Sequence, residues 1–142
     1  MIDMAKRRYK IGMVAAEFNY EITSLMAARA EAEAEFLGVD IVKKIMVPGV
    51  FEVPLAAKKL VDDPEIDAVI TIGAVIEGET EHDEVVMSQA SRKVMDLSLE
   101  SGKPVAFGLT GPGMTELQAM DRIEKGAQVV DAAVKMLQRL GL

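Results

Sequence analysis

The only histidine of this 142-residue chain is His82. It lies in the run Gly73-Ala-Val-Ile-Glu-Gly78-Glu-Thr-Glu-His82-Asp83, where an apolar stretch breaks at glycine and gives way to a helical pattern. An imidazole is the side chain best matched to proton transfer near neutral pH, and a strand-to-helix turn leaves backbone N–H groups that hold anions. Position alone suits a solvated residue at a helix start equally well. Three other loops carry residues that a turn does not need: Glu17-Phe18-Asn19, Val47-Pro-Gly-Val50-Phe51-Glu52, and Gly108-Leu-Thr-Gly-Pro-Gly-Met114. Glycine and proline make turns; phenyl rings do not. A ring flanked by an amide and a carboxylate fits a flat heterocycle bearing hydroxyls.

The elements that must position these loops alternate between two periods. Lys10 to Ala16 reads as a strand, and a helix from about Glu21 to Leu37 is ended by Gly38. Asp40 to Val47 is the second strand, and Pro54 to Val61 is a short helix closed by Asp62-Asp-Pro64. Ala68 to Val75 is near-continuously apolar, as expected at the centre of a parallel sheet covered on both faces. A helix follows from about Glu81 to Glu100, with Val86, Ala90, Val94 and Leu97 on one face. Val105 to Leu109 is the fourth strand. Helix then runs from about Thr115 to Leu140 with a break near Gly126, its stripe of Val130, Ala133, Leu137 and Leu140 widened by Val129 and Met136. The pattern predicts a three-layer α/β/α sandwich around a four-stranded parallel sheet, in one domain spanning 1–142, with 1–9 as a flexible or neighbour-bound tail. Ligands of such sheets bind beyond the carboxyl ends of the strands, and all four unusual loops lie there.

Composition narrows the chemistry. Half the residues are apolar and the net charge is −7, which argues against a nucleic-acid role, since the one basic cluster is Lys6 to Lys10. A phosphorylated ligand would be repelled by that overall field, so an arginine or a helix N-terminus must hold it. The absence of cysteine removes disulfides and thiolate nucleophiles and fits a reducing, cytoplasmic setting. No run approaches a membrane span, and the first charges follow the apolar residues instead of leading a signal core. No Walker string occurs, and the first and third strands end in Ala16 and Val75 where a receiver domain needs acids. The acids Glu77, Glu79, Glu81, Asp83 and Glu84 are ordinary partners of a helix dipole, and a single histidine leaves little for a transition metal. No metal is expected.

Taken in order, Ala16-Glu-Phe18-Asn19, Val47-Pro-Gly-Val-Phe-Glu-Val-Pro54, Gly73 to His82, Pro104-Val-Ala-Phe107-Gly and Gln118-Ala-Met-Asp-Arg122 resemble the 6,7-dimethyl-8-ribityllumazine synthase family of riboflavin biosynthesis. The strings Gly78-Glu-Thr-Glu-His-Asp-Glu84 and Gly111-Pro-Gly-Met-Thr115 look most like its archaeal members. The resemblance implies a flavodoxin-like fold and a transferase that condenses 5-amino-6-(D-ribitylamino)uracil with 3,4-dihydroxy-2-butanone 4-phosphate, releasing phosphate and water and using no cofactor. It implies that Phe18, with Asn19 beside it, stacks on the pyrimidine, and that Val50, Phe51 and Glu52 hold the ribityl chain. Ala74, Val75 and Ile76 line the ring, while Glu79 and Thr80 meet the phosphorylated ketone through backbone N–H groups. Phe107 closes the pocket of an adjacent subunit, Arg122 pairs with the phosphate, and His82 moves protons. It also implies a homopentamer with sites between subunits, in some members packed into icosahedral shells. Many bacterial members have arginine in place of Glu77 and a phosphate-facing lysine to which Lys125 does not align, and the loop from Thr110 to Met114 is about one residue longer than the common form.

Two other readings stay open: a shell-forming scaffold with an unused or engineered site, and a related enzyme such as the archaeal-type riboflavin synthase, which lacks the Gly-Glu-Thr-Glu-His string. Positioned acid–base catalysis contributes about 10²- to 10⁴-fold, most of the remaining acceleration coming from holding two substrates together. His82→Ala is therefore expected to lower the rate of lumazine formation within that range, and an unchanged rate would remove His82 from the mechanism.

Overall fold

The computed structural model describes residues 8–76 and 82–142. Its strands are β1 (Lys10–Ala16), β2 (Asp40–Val47), β3 (Ala68–Ile76), β4 (Val105–Ala106) and β5 (Leu109–Met114). Its helices are α1 (Tyr20–Leu37), α2 (Val53–Val61), α3 (Asp83–Ser101), α4 (Glu116–Asp121) and α5 (Lys125–Arg139), with a 3-10 turn at Val50–Glu52 ahead of α2. Every strand pairing is parallel, in the order β2-β1-β3-β4, with β5 continuing along β3 beyond β4. Among the described residues no helix is long and apolar enough to cross a membrane.

Both faces of the sheet are covered, which is why β3 shows no polar alternation: Ala68 to Val75 is wholly buried. On one face Met13, Ile70 and Ile72 meet Met26 of α1 and Val130 and Leu137 of α5; on the other, Val14 and Val69 meet Leu60 of α2 and Val94 of α3. Tyr9 is buried, and its hydroxyl donates to the Leu142 carbonyl at 3.0 Å. Gly38 ends α1 in the left-handed conformation, φ 73°, a position where a side chain would be strained.

One expectation needs correction. The fourth strand does not run unbroken from Val105 to Leu109: β4 ends at Ala106 and β5 begins at Leu109, so the sheet has five strands among the described residues. Buried Thr71 explains the break. Its hydroxyl donates to the Ala106 carbonyl at 2.8 Å and accepts from the Gly108 N–H at 3.2 Å, replacing ladder bonds that the chain gives up there. Only glycine fits at 108, because a Cβ would stand 2.2 Å from the Thr71 carbonyl oxygen. Beyond the break, β5 reaches six residues through the glycine-rich stretch expected as a loop. Ala74 faces Thr110 and Ile76 faces Met114, so β5 spends four steps on two of β3, a bulge that the left-handed Gly111 (φ 104°) and Gly113 (φ 81°) make feasible.

The break expected near Gly126 in the last helix is found at residues 122–124, between α4 and α5. Gly126 itself is the point where α5 crosses α1: a Cβ there would lie 1.9 Å from the Met26 carbonyl oxygen. Replacing glycine by alanine inside an ordinary helix stabilises it by about 1 kcal/mol. Here the overlap with backbone reverses the sign. Gly126→Ala is expected to destabilise by about 1–3 kcal/mol, read as a Tm several degrees lower, whereas a raised Tm would show that the helices are not held at this distance.

Candidate functional site

The strand order reverses direction between β1 and β3, so the chain leaves their carboxyl ends toward opposite faces of the sheet. α1, after β1, lies on one face, and α3, after β3, on the other. A crevice opens at such a point in any doubly wound sheet. Asn19 stands in it. It is the only described non-glycine residue with positive φ (62°), and its carbonyl accepts from the N–H groups of Ile22 and Thr23, starting α1. Its side-chain amide donates to the Ala74 carbonyl at 2.8 Å. The β1–β3 ladder ends at Ala15 opposite Ile72, so the Asn19 side chain carries the bonding two residues further along β3.

The neighbouring loop is tied to the same place. The N–H groups of Glu17 and Phe18 donate to the carbonyls of Val47 and Pro48 at 2.7 and 3.0 Å, joining the ends of β1 and β2. Val50 is buried and occupies the space above Gly73, where an added Cβ would approach it to 2.9 Å. That packing turns Phe51 outward, 69% exposed, while Phe18 is 54% exposed. Rings this exposed contribute little to the core and are available to a ligand. Glu52 accepts the Gly49 N–H on Oε1 at 2.9 Å, which fixes its carboxylate beside the loop and leaves it further acceptor capacity. Ala74 and Val75 are buried and Ile76 partly so. His82 is exposed and immediately precedes α3, its carbonyl accepting from the Val86 N–H at 2.9 Å, and α3 packs on the Val50–Glu52 turn. Glu79 and Thr80 lie outside the described residues.

Phe107 and Arg122 belong to a second place. Phe107 sits in the break between β4 and β5, and Arg122 follows α4, whose start is capped reciprocally by Thr115 and Gln118. Both line a cavity of about 380 Å³ with Thr110, Asp121, Glu124 and Lys125. Phe18, Asn19, Phe51, Glu52 and His82 are not among its walls. The sequence-predicted residues thus form two groups: one around the β1–β3 crevice, and another between β5 and the α4–α5 turn.

Sequence reasoning left Lys125 without a place, and the structure puts it in the wall with Arg122. Nothing in the sequence linked Arg29 of α1 to this cavity. Its guanidinium grips both carboxylate oxygens of Glu124 at 2.8 Å, a fork-to-fork pairing across 95 positions. The pairing holds the Glu124 carboxyl below its usual range and raises Arg29. Glu33, which also faces Arg29, is pushed the other way by its hydrogen bond to Asp131.

The pattern of 6,7-dimethyl-8-ribityllumazine synthase matches residues 8–141 of the chain. Proteins of that name similar to it include one from Methanococcus maripaludis strain C7, 60% identical over 131 residues, covering 92% of this chain and 96% of that one. Another, from Methanocaldococcus jannaschii, is 57% identical over 130 residues, 92% of each chain. A third, from Methanothermobacter thermautotrophicus, is 54% identical over 134 residues, 94% of this chain and 96% of that one.

Left-handed backbone costs an ordinary residue about 1–2 kcal/mol, and a lost hydrogen bond to a buried carbonyl about as much again. Asn19→Ala incurs both and Asn19→Gly only the second. In thermal melts the alanine variant is expected to be the less stable of the two, despite the greater flexibility of glycine, and equal stability would show that φ at position 19 is not a constraint.

Proposed function

Because the chain belongs to the 6,7-dimethyl-8-ribityllumazine synthase family, matched along 8–141, we propose that it condenses 5-amino-6-(D-ribitylamino)uracil with 3,4-dihydroxy-2-butanone 4-phosphate. The products are 6,7-dimethyl-8-ribityllumazine, phosphate and water. The observation that carries the site assignment is the crevice at the β1–β3 reversal, where an exposed phenyl ring, a carboxylate and apolar strand ends meet around the Asn19–Ala74 bond. Whole-chain similarity to relatives that bear the enzyme's name favours the transferase over a scaffold with an unused site or a riboflavin synthase.

In this reading Phe18 stacks on the pyrimidine, whose edge runs along Ala74 to Ile76. Val50, Phe51 and Glu52 hold the ribityl chain, and Glu52, already oriented by the Gly49 N–H, accepts from one of its hydroxyls. The 5-amino group attacks the ketone, water leaves to form an imine, phosphate is eliminated, and the ribityl-bearing amine closes the ring on the carbonyl that the elimination leaves, with loss of a second water. At each step protons pass between nitrogen, carbon and oxygen. No step requires a metal, a redox cofactor or a covalent link to the protein. His82, at the head of α3, accepts and returns these protons. Glu79 and Thr80 meet the ketone through their backbone, and the phosphate is held by Arg122, whose planar guanidinium binds phosphate oxygens in pairs.

The separation of Phe107 and Arg122 from the wall that holds Phe18 and His82 supports a site shared between two copies of the chain, each giving one wall. An apolar groove of about 370 Å³ between α3 and α5, bordered by exposed Leu99, Met136 and Leu140, fits a homo-oligomer as well. Residues 1–142 act in this reading as one cytoplasmic domain with no nucleic-acid partner.

A shared site is tested by mixing. His82→Ala and Arg122→Ala should each be impaired alone, but when unfolded and reassembled together they should regain activity, up to about one quarter of the parent for random association. Activity no higher than the average of the two separate variants would place both residues in one protomer's site.

A further inference from the structure

The charges lining the Phe107–Arg122 cavity are two acids, Asp121 and Glu124, and two bases, Arg122 and Lys125. They cancel. A phosphate monoester carries about −1.5 to −2 charges at neutral pH, and the protein around it is acidic overall, −7. A balanced cavity therefore offers it no net attraction. Arg29, outside the cavity wall, changes the sum, since its guanidinium occupies both oxygens of Glu124 at 2.8 Å. With Glu124 neutralised, one positive charge is left over in the wall.

We propose that Arg29 is a positioning residue that, by engaging Glu124, leaves this cavity the positive excess needed to hold the phosphate of the ketone substrate. The proposal rests on the assignment of Arg122 to that phosphate. The geometry adds a mechanical component. Glu124 lies in the 122–124 turn that separates α4 from α5, two positions from Arg122, so a grip from α1 also fixes the turn that carries the phosphate ligand. Glu33, the other acid that acts on Arg29, does not line the cavity. The pair itself is solvent-exposed, 40% for the Arg29 side chain and 57% for Glu124. Exposed pairs add little to folding stability, so its effect belongs in substrate binding more than in the melting temperature.

Steady-state kinetics with each substrate varied separately tests this. Arg29→Ala is expected to raise KM for the phosphorylated ketone about 3- to 10-fold, while kcat and KM for the ribitylaminouracil change less than about 2-fold. Adding Glu124→Gln to Arg29→Ala should bring the ketone KM back to within about 2-fold of the parent, because the uncompensated carboxylate is gone. Arg29→Lys, which keeps the charge, should fall between the parent and Arg29→Ala, and it preserves the test if the alanine variant does not fold. An unchanged ketone KM in Arg29→Ala, an equal rise in both KM values, or no recovery in the double variant would each overturn the proposal. Arg122→Ala separates the two levels. If it raises the ketone KM and Arg29→Ala does not, only the role of Arg29 falls; if it leaves the ketone KM unchanged, the phosphate assignment itself is wrong.

Discussion

The hydrogen bond from the Asn19 side chain to the Ala74 carbonyl is the contact on which the proposed pyrimidine wall depends. Two parallel strands that send their chains to opposite faces leave their last carbonyls without ladder partners, in a crevice that must be closed or filled. Asn19 closes it from one side. A left-handed backbone lets it begin α1 while its amide reaches across to β3, and asparagine is among the few side chains that tolerate this conformation and can bond locally as well. Phe18 precedes it and is therefore carried to the crevice mouth. Val50, wedged above Gly73, brings Phe51 and Glu52 to the same rim.

A second constraint governs the other wall. Thr71 and Gly108 interrupt the sheet edge and set Phe107 in the gap, and the bulge at Gly111 and Gly113 returns the chain to β3 before α4. Both walls follow from backbone hydrogen bonds that strands could not make for themselves, satisfied by short side chains at fixed positions. In the proposed site, the protein's acidity sets the electrostatic requirement at the second wall, where guanidinium groups must locally outweigh a repulsive surrounding field to hold a phosphate.

Much of this was readable in the sequence. β1 and β2 were delimited to the residue, because apolar runs ended by Glu17 or by Pro48-Gly49 leave little ambiguity. Gly38 marked the end of α1 by the conformation that only glycine adopts freely. The loops at the strand ends were identifiable because Phe18, Phe51 and His82 are not turn residues. The split of the fourth strand was not legible, since Thr71 is one β-branched residue among several in an apolar run and nothing local shows that its hydroxyl serves Ala106 and Gly108. The helix break near Gly126 is legible, but the reason a glycine stands at 126 is not: it is the Met26 carbonyl, a contact distant in sequence. Arg29 and Glu124 look like solvated helix charges until the α1–α5 packing brings them together.

The most direct measurement is a crystal structure of the protein with the ribitylaminouracil bound. The pyrimidine is expected against Phe18 and the Ala74–Ile76 edge, with its ribityl chain at Glu52 and with Phe107 of the partner subunit closing over it. A ring seated in the groove between α3 and α5, or anywhere away from the β1–β3 crevice, would contradict the assignment of the site.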